Sequence, residues 1–216
     1  MSVPVAAADR IVFGTDGWRA RIGDGYTYAN VRRVAAAAAR YYAAHADGAE
    51  RGVVIGHDRR FGARDFAIAV AETVAAHGVP VWLTADATPT PVISFSVGAQ
   101  AAAGAINLTA SHNPAHDLGF KVRDARGAAL DPDALAALEA EIPPPGADIA
   151  RLPLAAGLAD GRIRRFDPAP RYRAHAAARV DLRRIADAGL RVAYDPMWGA
   201  GIGWLRWLLG PGARTE

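Results

Sequence analysis

The sequence predicts an α/β fold: a layered α/β/α unit on a mostly parallel (mixed) sheet, followed by the start of a second α/β/α unit. Three observations predict it. Strand-length apolar runs alternate with helix-length amphipathic stretches from Ile11 to Leu108, the pattern of a layered, largely parallel sheet. Gly52-Val53-Val54-Ile55-Gly56 is apolar without alternation, as in a strand buried on both faces. After the break at Pro143-Pro144-Pro145-Gly146 the pattern begins again. The expected division is 1–142 for the first unit, 143–161 for a linker and 162–216 for the start of the second. One strand and two or three helices are too few to close that second core by themselves.

Ile11-Val12-Phe13 reads as a short strand, and Gly14-Thr15-Asp16-Gly17-Trp18-Arg19 as a glycine-punctuated loop after it. Tyr28 to His45 carries Val31, Val34, Ala35, Ala38, Tyr41 and Tyr42 at helical spacing. His57-Asp58-Arg59-Arg60 follows the Gly52–Gly56 strand, and an Asp58–Arg pair would brace that loop. Arg64 to His77 is a helix stopped by Gly78. Val79 to Leu83 is a strand, and Pro91 opens a short helix that ends at Gly98. Gly104 to Leu108 is the next strand. Gly119 to Arg123 and Gly127 to Leu130 read as a short hairpin. Asp131 and Pro132 supply an N-cap and a first helical residue. In the last third, Arg162 to Phe166 and Leu190 to Tyr194 read as strands. Pro168 to about Gly189 is helical with a break near Val180-Asp181, and Ile202 to Leu209 is an apolar helix.

Composition removes several classes. The 216 residues contain no cysteine, so disulfides and thiolate metal sites are excluded; this fits a cytoplasmic setting. No apolar run approaches the ~18 residues of a membrane span, and Met1 to Asp9 lacks a secretion signal. The net charge of +3 comes from arginines scattered among acids and not gathered in a block, which points only weakly to nucleic acid and suits a small anionic substrate equally well.

The chemistry gathers in Thr109-Ala110-Ser111-His112-Asn113-Pro114, a hydroxyl, an imidazole and an amide in three successive residues after a strand. Pro114 keeps Asn113 out of the helical region. Lys121 is the one lysine among 25 basic residues. Arginine serves wherever a fixed charge is wanted but does not exchange protons near neutral pH. A lysine placed near a Ser-His loop therefore suggests proton transfer. Arg19 is either a phosphate-facing cation or an ordinary surface charge. His112 is either a second acid/base or a ring that shapes the loop.

Four stretches taken together resemble the α-D-phosphohexomutases, the phosphoglucomutase/phosphomannomutase group. They are Phe13 to Arg19, Gly56 to Arg60 with Phe66-Ala67, Thr109 to Pro114 with Gly119-Phe120-Lys121, and Asp195 to Gly201. The resemblance implies that Ser111 carries a phosphoryl group, gives it to a hexose monophosphate and takes the other phosphate back from the bisphosphorylated sugar. It implies catalytic roles for Ser111, Lys121, His112 and Arg19, substrate binding by Arg19, Asn113 and Lys121, and Mg²⁺ bound in part through the phosphate on Ser111. Trp18 leans the resemblance towards glucose and mannose phosphates and away from glucosamine phosphate. The family's D-G-D-x-D-R metal loop does not occur, nor do its sugar-recognition loop and fourth domain. The 216 residues are therefore expected not to turn over substrate alone. Asp117 and Leu118 stand where the family has tyrosine and asparagine, so altered loop packing is expected. Two other classes stay open: a serine-nucleophile sugar phosphatase, and a non-catalytic remnant that binds a partner.

Overall fold

In the computed structural model, which describes residues 10–45 and 49–209, seven strands form one sheet among the described residues. One of its inner strands, β3 (Val53–His57), is buried along its whole length. To either side, β4 (Val81–Thr84) and β5 (Gly104–Leu108) run parallel to it. The pleat sends successive residues of β3 to opposite faces. Val53 and Ile55 pack with α1 (Tyr28–His45) and α2 (Ala63–Ala76), while Val54 packs with Ile93 and Val97 of α3 (Thr90–Ala99). That two-sided burial is why the strand reads as apolar without alternation. The alanines at 35–39 of α1 are fully buried, small enough for close helix packing.

The other half of the sheet turns antiparallel. β6 (Asp117–Arg123) runs against β5 and against β1 (Trp18–Ile22), with β2 (Gly25–Tyr26) as the outer edge. The sheet is thus mixed. Ile11–Phe13 is not a strand: the Phe13 N–H donates to Glu139 Oε2 at 2.8 Å, so a side chain of α4 (Pro132–Ala140) takes the place of a ladder partner. The first strand comes five residues later, in Trp18-Arg19-Ala20-Arg21-Ile22. The expected hairpin after Lys121 shrinks to a single bridge between Arg123 and Ala129. Asp124 holds that turn by accepting from the N–H groups of Arg126 and Ala128. Asp131 caps α4 by accepting from Ala134 N–H at 2.8 Å, with Pro132 at the first helical position.

Beyond the proline run the chain returns to the sheet. The Leu152 and Leu154 N–H groups donate to Glu72 on α2, α5 (Leu154–Ala159) follows, and β7 (Ile163–Phe166) pairs in parallel with β4. Arg164 and Arg165 are exposed on this edge strand, and charge there discourages edge-to-edge pairing. The last helices, α6 (Ala169–Ala177), α7 (Leu182–Asp187) and α8 (Trp204–Leu209), bury no residue. The break between α6 and α7 falls at Val180-Asp181, where Asp181 caps α7. Leu190–Tyr194 is not a strand. No neighbouring strand pairs with it among the described residues, and Leu190 is 65% exposed. No described helix is long and apolar enough to cross a membrane. The expectations for Met1–Asp9 fall outside the described residues.

Candidate active site

The alternation along β6 creates the site. Leu118, Phe120 and Val122 enter the main core, so Gly119, Lys121 and Arg123 take the opposite face. Pairing then sets the neighbours. Arg19 of β1 stands opposite Gly119, and Asn107 of β5 stands opposite Lys121. Facing residues of an antiparallel pair share a side. Cations from β1 and β6 therefore line up on one face of the sheet.

Gly119 is required by a close approach. A Cβ there would stand 2.5 Å from the Thr109 carbonyl oxygen. The Thr109 N–H donates to the Gly119 carbonyl at 3.0 Å, tying the base of the Ser111 loop to β6. Gly17, at φ +107°, lets the Gly14–Gly17 turn lie against β6, where a Cβ would run into the Phe120 carbonyl. That turn carries Asp16 to Lys121 Nζ at 2.5 Å and to Arg123 Nη1 at 3.1 Å. Partial burial pushes the Asp16 carboxyl up. The hydrogen bond from Lys121 and the charges of Arg123, Lys121 and Arg19 outweigh it and hold the pKa below the ordinary carboxylate value.

The loop from Thr109 to Asp117 is held from several sides. Thr109 Oγ1 accepts from the Ser111 N–H at 3.0 Å, and the Ala110 carbonyl accepts from the Asn113 N–H. Ser111 sits at φ +56°, a left-handed conformation that costs a residue with a side chain about 1–2 kcal/mol. Such strain persists only where the surroundings fix it. Ser111 and His112 are exposed, and Ser111 Oγ lies 3.4 Å from His112 Nδ1. Asn113 is braced at both ends: its Nδ2 donates to Asp117 Oδ2 at 2.9 Å, and its Oδ1 accepts from Arg19 Nη1 at 3.4 Å. Asp117 thus orders the loop, while Leu118 is fully buried in the core. Lys121 bonds Asp16, and the loop is reached instead by Arg19 and by Arg60. The Arg19 Nε is buried without a partner. Trp18 is 3% exposed and stacks on Tyr26 with ring centroids 4.8 Å apart, so the indole belongs to the core and not to the site surface.

Sequence reasoning missed two residues of this assembly. Asp16 lay inside a recognised glycine turn. Arg60 lay at the end of β3 and reads as one of two adjacent surface arginines. The signal for Arg60 was its place after Asp58, which accepts the Arg60 backbone N–H at 2.8 Å and faces its Nε at 3.3 Å. The expected Asp58 brace is present, and the arginine it braces reaches on to the Ser111 loop.

The residues do not build a magnesium site alone. No group of three metal-ligating His, Asp or Glu side chains occurs among the described residues, and Asp16 is engaged by two cations. An anion carried on Ser111 would add the hard oxygen ligands that magnesium prefers.

Fold and site define a class: an α/β/α domain that presents a strained, exposed serine on a loop beyond a sheet strand, the loop held by Arg19 of β1 and by Arg60. The model of the phosphoglucomutase/phosphomannomutase alpha/beta/alpha domain I matches residues 10–144. A phosphoglucosamine mutase of Synechococcus sp. (strain CC9311) is 34% identical over 192 residues, covering 88% of this chain and 39% of the relative. Human phosphopentomutase is 36% identical over 131 residues, covering 56% of this chain and 21% of the relative. The crystal structure of a candidate phosphomannomutase from Thermus thermophilus superposes with a TM-score of 0.79 at 36% identity, covering 92% of this chain and 43% of that one. The chain belongs to the α-D-phosphohexomutase superfamily and carries its N-terminal phosphoglucomutase/phosphomannomutase domain. It spans about two-fifths of the length of the phosphoglucosamine mutases it matches. The relatives' names span glucosamine, pentose and mannose, so they do not choose among the sugars that the Trp18 lean ranks.

Proposed function

We propose that Ser111 is the phosphoryl carrier of a sugar-phosphate mutase, an isomerase that moves phosphate between two oxygens of one sugar. The observation that carries this is the exposed Ser111 Oγ beside His112, on a strained loop braced by Arg19. In the first half-reaction a sugar hydroxyl oxygen bonds to the phosphorus of phospho-Ser111 and the P–Oγ bond breaks. The hydroxyl's proton passes to a side-chain base, and Ser111 Oγ is protonated as it leaves. The second half-reaction reverses these steps with the sugar's other phosphate, so atoms and charge balance over the cycle. Serine is a weak nucleophile that needs a nearby base, and phosphoryl transfer rests mainly on positioning and on charge stabilisation. Lys121 and His112 are the candidate proton carriers. Arg19 is the candidate fixed cation, and Asn113 orients it. Magnesium, when bound to the phosphorylated serine, would supply further positive charge.

The finer reading is a hexose 1-phosphate/6-phosphate exchange, with glucose and mannose phosphates as first candidates and the cytoplasm as its place. On this reading the chain after Phe166 begins a following unit, since α6 to α8 bury nothing. The 216 residues alone would perform the serine half-reaction and not the full exchange.

The test is to incubate the chain with glucose 1,6-bisphosphate and magnesium and to measure intact mass. Gain of one phosphoryl group, mapped to Ser111 and lost in Ser111→Ala, is expected. No gain from hexose or pentose bisphosphates would overturn the proposal, and release of inorganic phosphate without isomerisation would replace it with a phosphatase.

A further inference from the structure

We infer that Arg60 is the positioning residue of the Ser111 loop, holding the serine in its left-handed conformation. The role in catalysis rests on the function proposed for Ser111; the structural role does not.

A guanidinium has five N–H donors in a rigid planar fork. In Arg60 all five face acceptors of the protein. Nη2 donates to the carbonyls of Ser111 at 2.9 Å and Asn113 at 2.7 Å. Nη1 donates to the carbonyls of Pro114 at 2.7 Å and Asp117 at 3.1 Å. Nε faces Asp58 Oδ2 at 3.3 Å. One side chain from the end of β3 thus gathers four carbonyls from seven residues of loop, while Asp58 fixes the fork from behind. Its side chain is only 14% exposed.

Two consequences follow. The first is a division of labour between arginines: Arg60 has no donor left for a substrate phosphate, whereas Arg19 meets the loop through one long bond to Asn113. The second concerns Ser111. Its carbonyl is pinned to Arg60 while its N–H is pinned to Thr109 Oγ1, so both flanking peptide groups are fixed around the strained φ. Without that pinning the chain would relax towards negative φ, and Oγ would swing away from its place beside His112. Lysine cannot substitute, because its three donors radiate from one point and cannot span four carbonyls.

The experiment compares the whole chain with Arg60→Ala and Arg60→Lys. It follows amide exchange of the 109–117 segment, thermal midpoint, and phosphoryl uptake by Ser111 from glucose 1,6-bisphosphate. Loop exchange is expected to rise by about tenfold or more in both variants, since several charge-assisted bonds are lost, while the core strands stay protected. Uptake should fall on the order of 100-fold, the effect of a reacting atom misplaced by about 1 Å. Added guanidinium ion should recover part of the uptake in Arg60→Ala. Wild-type loop exchange in either folded variant would overturn the inference, and Arg60→Lys serves if Arg60→Ala does not fold. If the wild-type chain takes up no phosphate, the proposed function fails, and loop exchange alone still decides the clamp.

Discussion

Lys121 Nζ lies 2.5 Å from Asp16 Oδ2, and the same carboxylate meets Arg123 Nη1 at 3.1 Å. The turn that opens the domain is thereby fastened to the strand that carries the lysine. Lys121 is 5% exposed, so its charge depends on a partner more than a surface lysine's would.

The first prediction concerns acid. The folded-state pKa of Asp16 is depressed, so its contribution to stability is present above the unfolded value of about 3.9 and is lost as pH falls through the lower, folded value. Denaturant titrations from pH 7 to pH 2 should show stability falling below about pH 4. Asp16→Asn should flatten part of that slope and lose about 1 kcal/mol at pH 7, a small figure because the carboxylate is 38% exposed. A variant with an unchanged acid slope would show that the pair contributes nothing.

The lysine separates charge from proton exchange. Lys121→Arg preserves a cation for Asp16 but removes the proton carrier. Stability should stay within about 1 kcal/mol of wild type, and phosphoryl uptake by Ser111 should fall by about 10²–10⁴-fold. Retained uptake would reduce Lys121 to a structural cation.

Gly119 links fold and site. In Gly119→Ala the new methyl would meet the Thr109 carbonyl at 2.5 Å, a backbone atom that cannot turn aside. Unfolding experiments should show a loss of about 1–3 kcal/mol, the usual range for overpacking. Proteolysis should reach the 109–117 segment sooner than in wild type.

At alkaline pH the buried tyrosines matter. The Tyr42 hydroxyl contacts the carbonyls of Ala105 at 3.0 Å and Arg123 at 2.7 Å, bridging β5 and β6. Burial drives its pKa far above the ordinary phenol value, and burial does the same to Tyr26. A raised folded pKa gives stability that is complete below the unfolded value and is lost as pH rises beyond it, here from about pH 10. Tyr42→Phe should lose about 1–2 kcal/mol at neutral pH and show a shallower alkaline decline. An unchanged decline would assign the alkaline transition to other groups.

The parallel half of the sheet was legible because burial on both faces leaves an unmistakable apolar run, as in Gly52–Gly56. The edge was harder. Ile11–Phe13 looked like a strand because three apolar residues say nothing about a partner. Trp18 and Arg19 read as the end of the glycine loop and Ala20–Ile22 carries no assignment, although Trp18, Ala20 and Ile22 alternate with Arg19 and Arg21, a period-two signal. Leu190–Tyr194 misled in the same way as Ile11–Phe13. Within the site, Ser111 and Lys121 stood out by residue type, and Arg19 only through the motif it ends. Arg60 did not, because a clamp is defined by the carbonyls it meets, and carbonyls have no letter in a sequence.

The left-handed backbone at Ser111 also constrains which hydroxyl can stand there. Threonine offers the same oxygen, but its branched Cβ makes positive φ an outlier. Asparagine, aspartate and glycine tolerate the conformation yet bring no hydroxyl. For a drifting lineage, position 111 is therefore nearly a one-residue alphabet: the neighbours that suit the backbone lack the chemistry, and the neighbour with the chemistry does not suit the backbone.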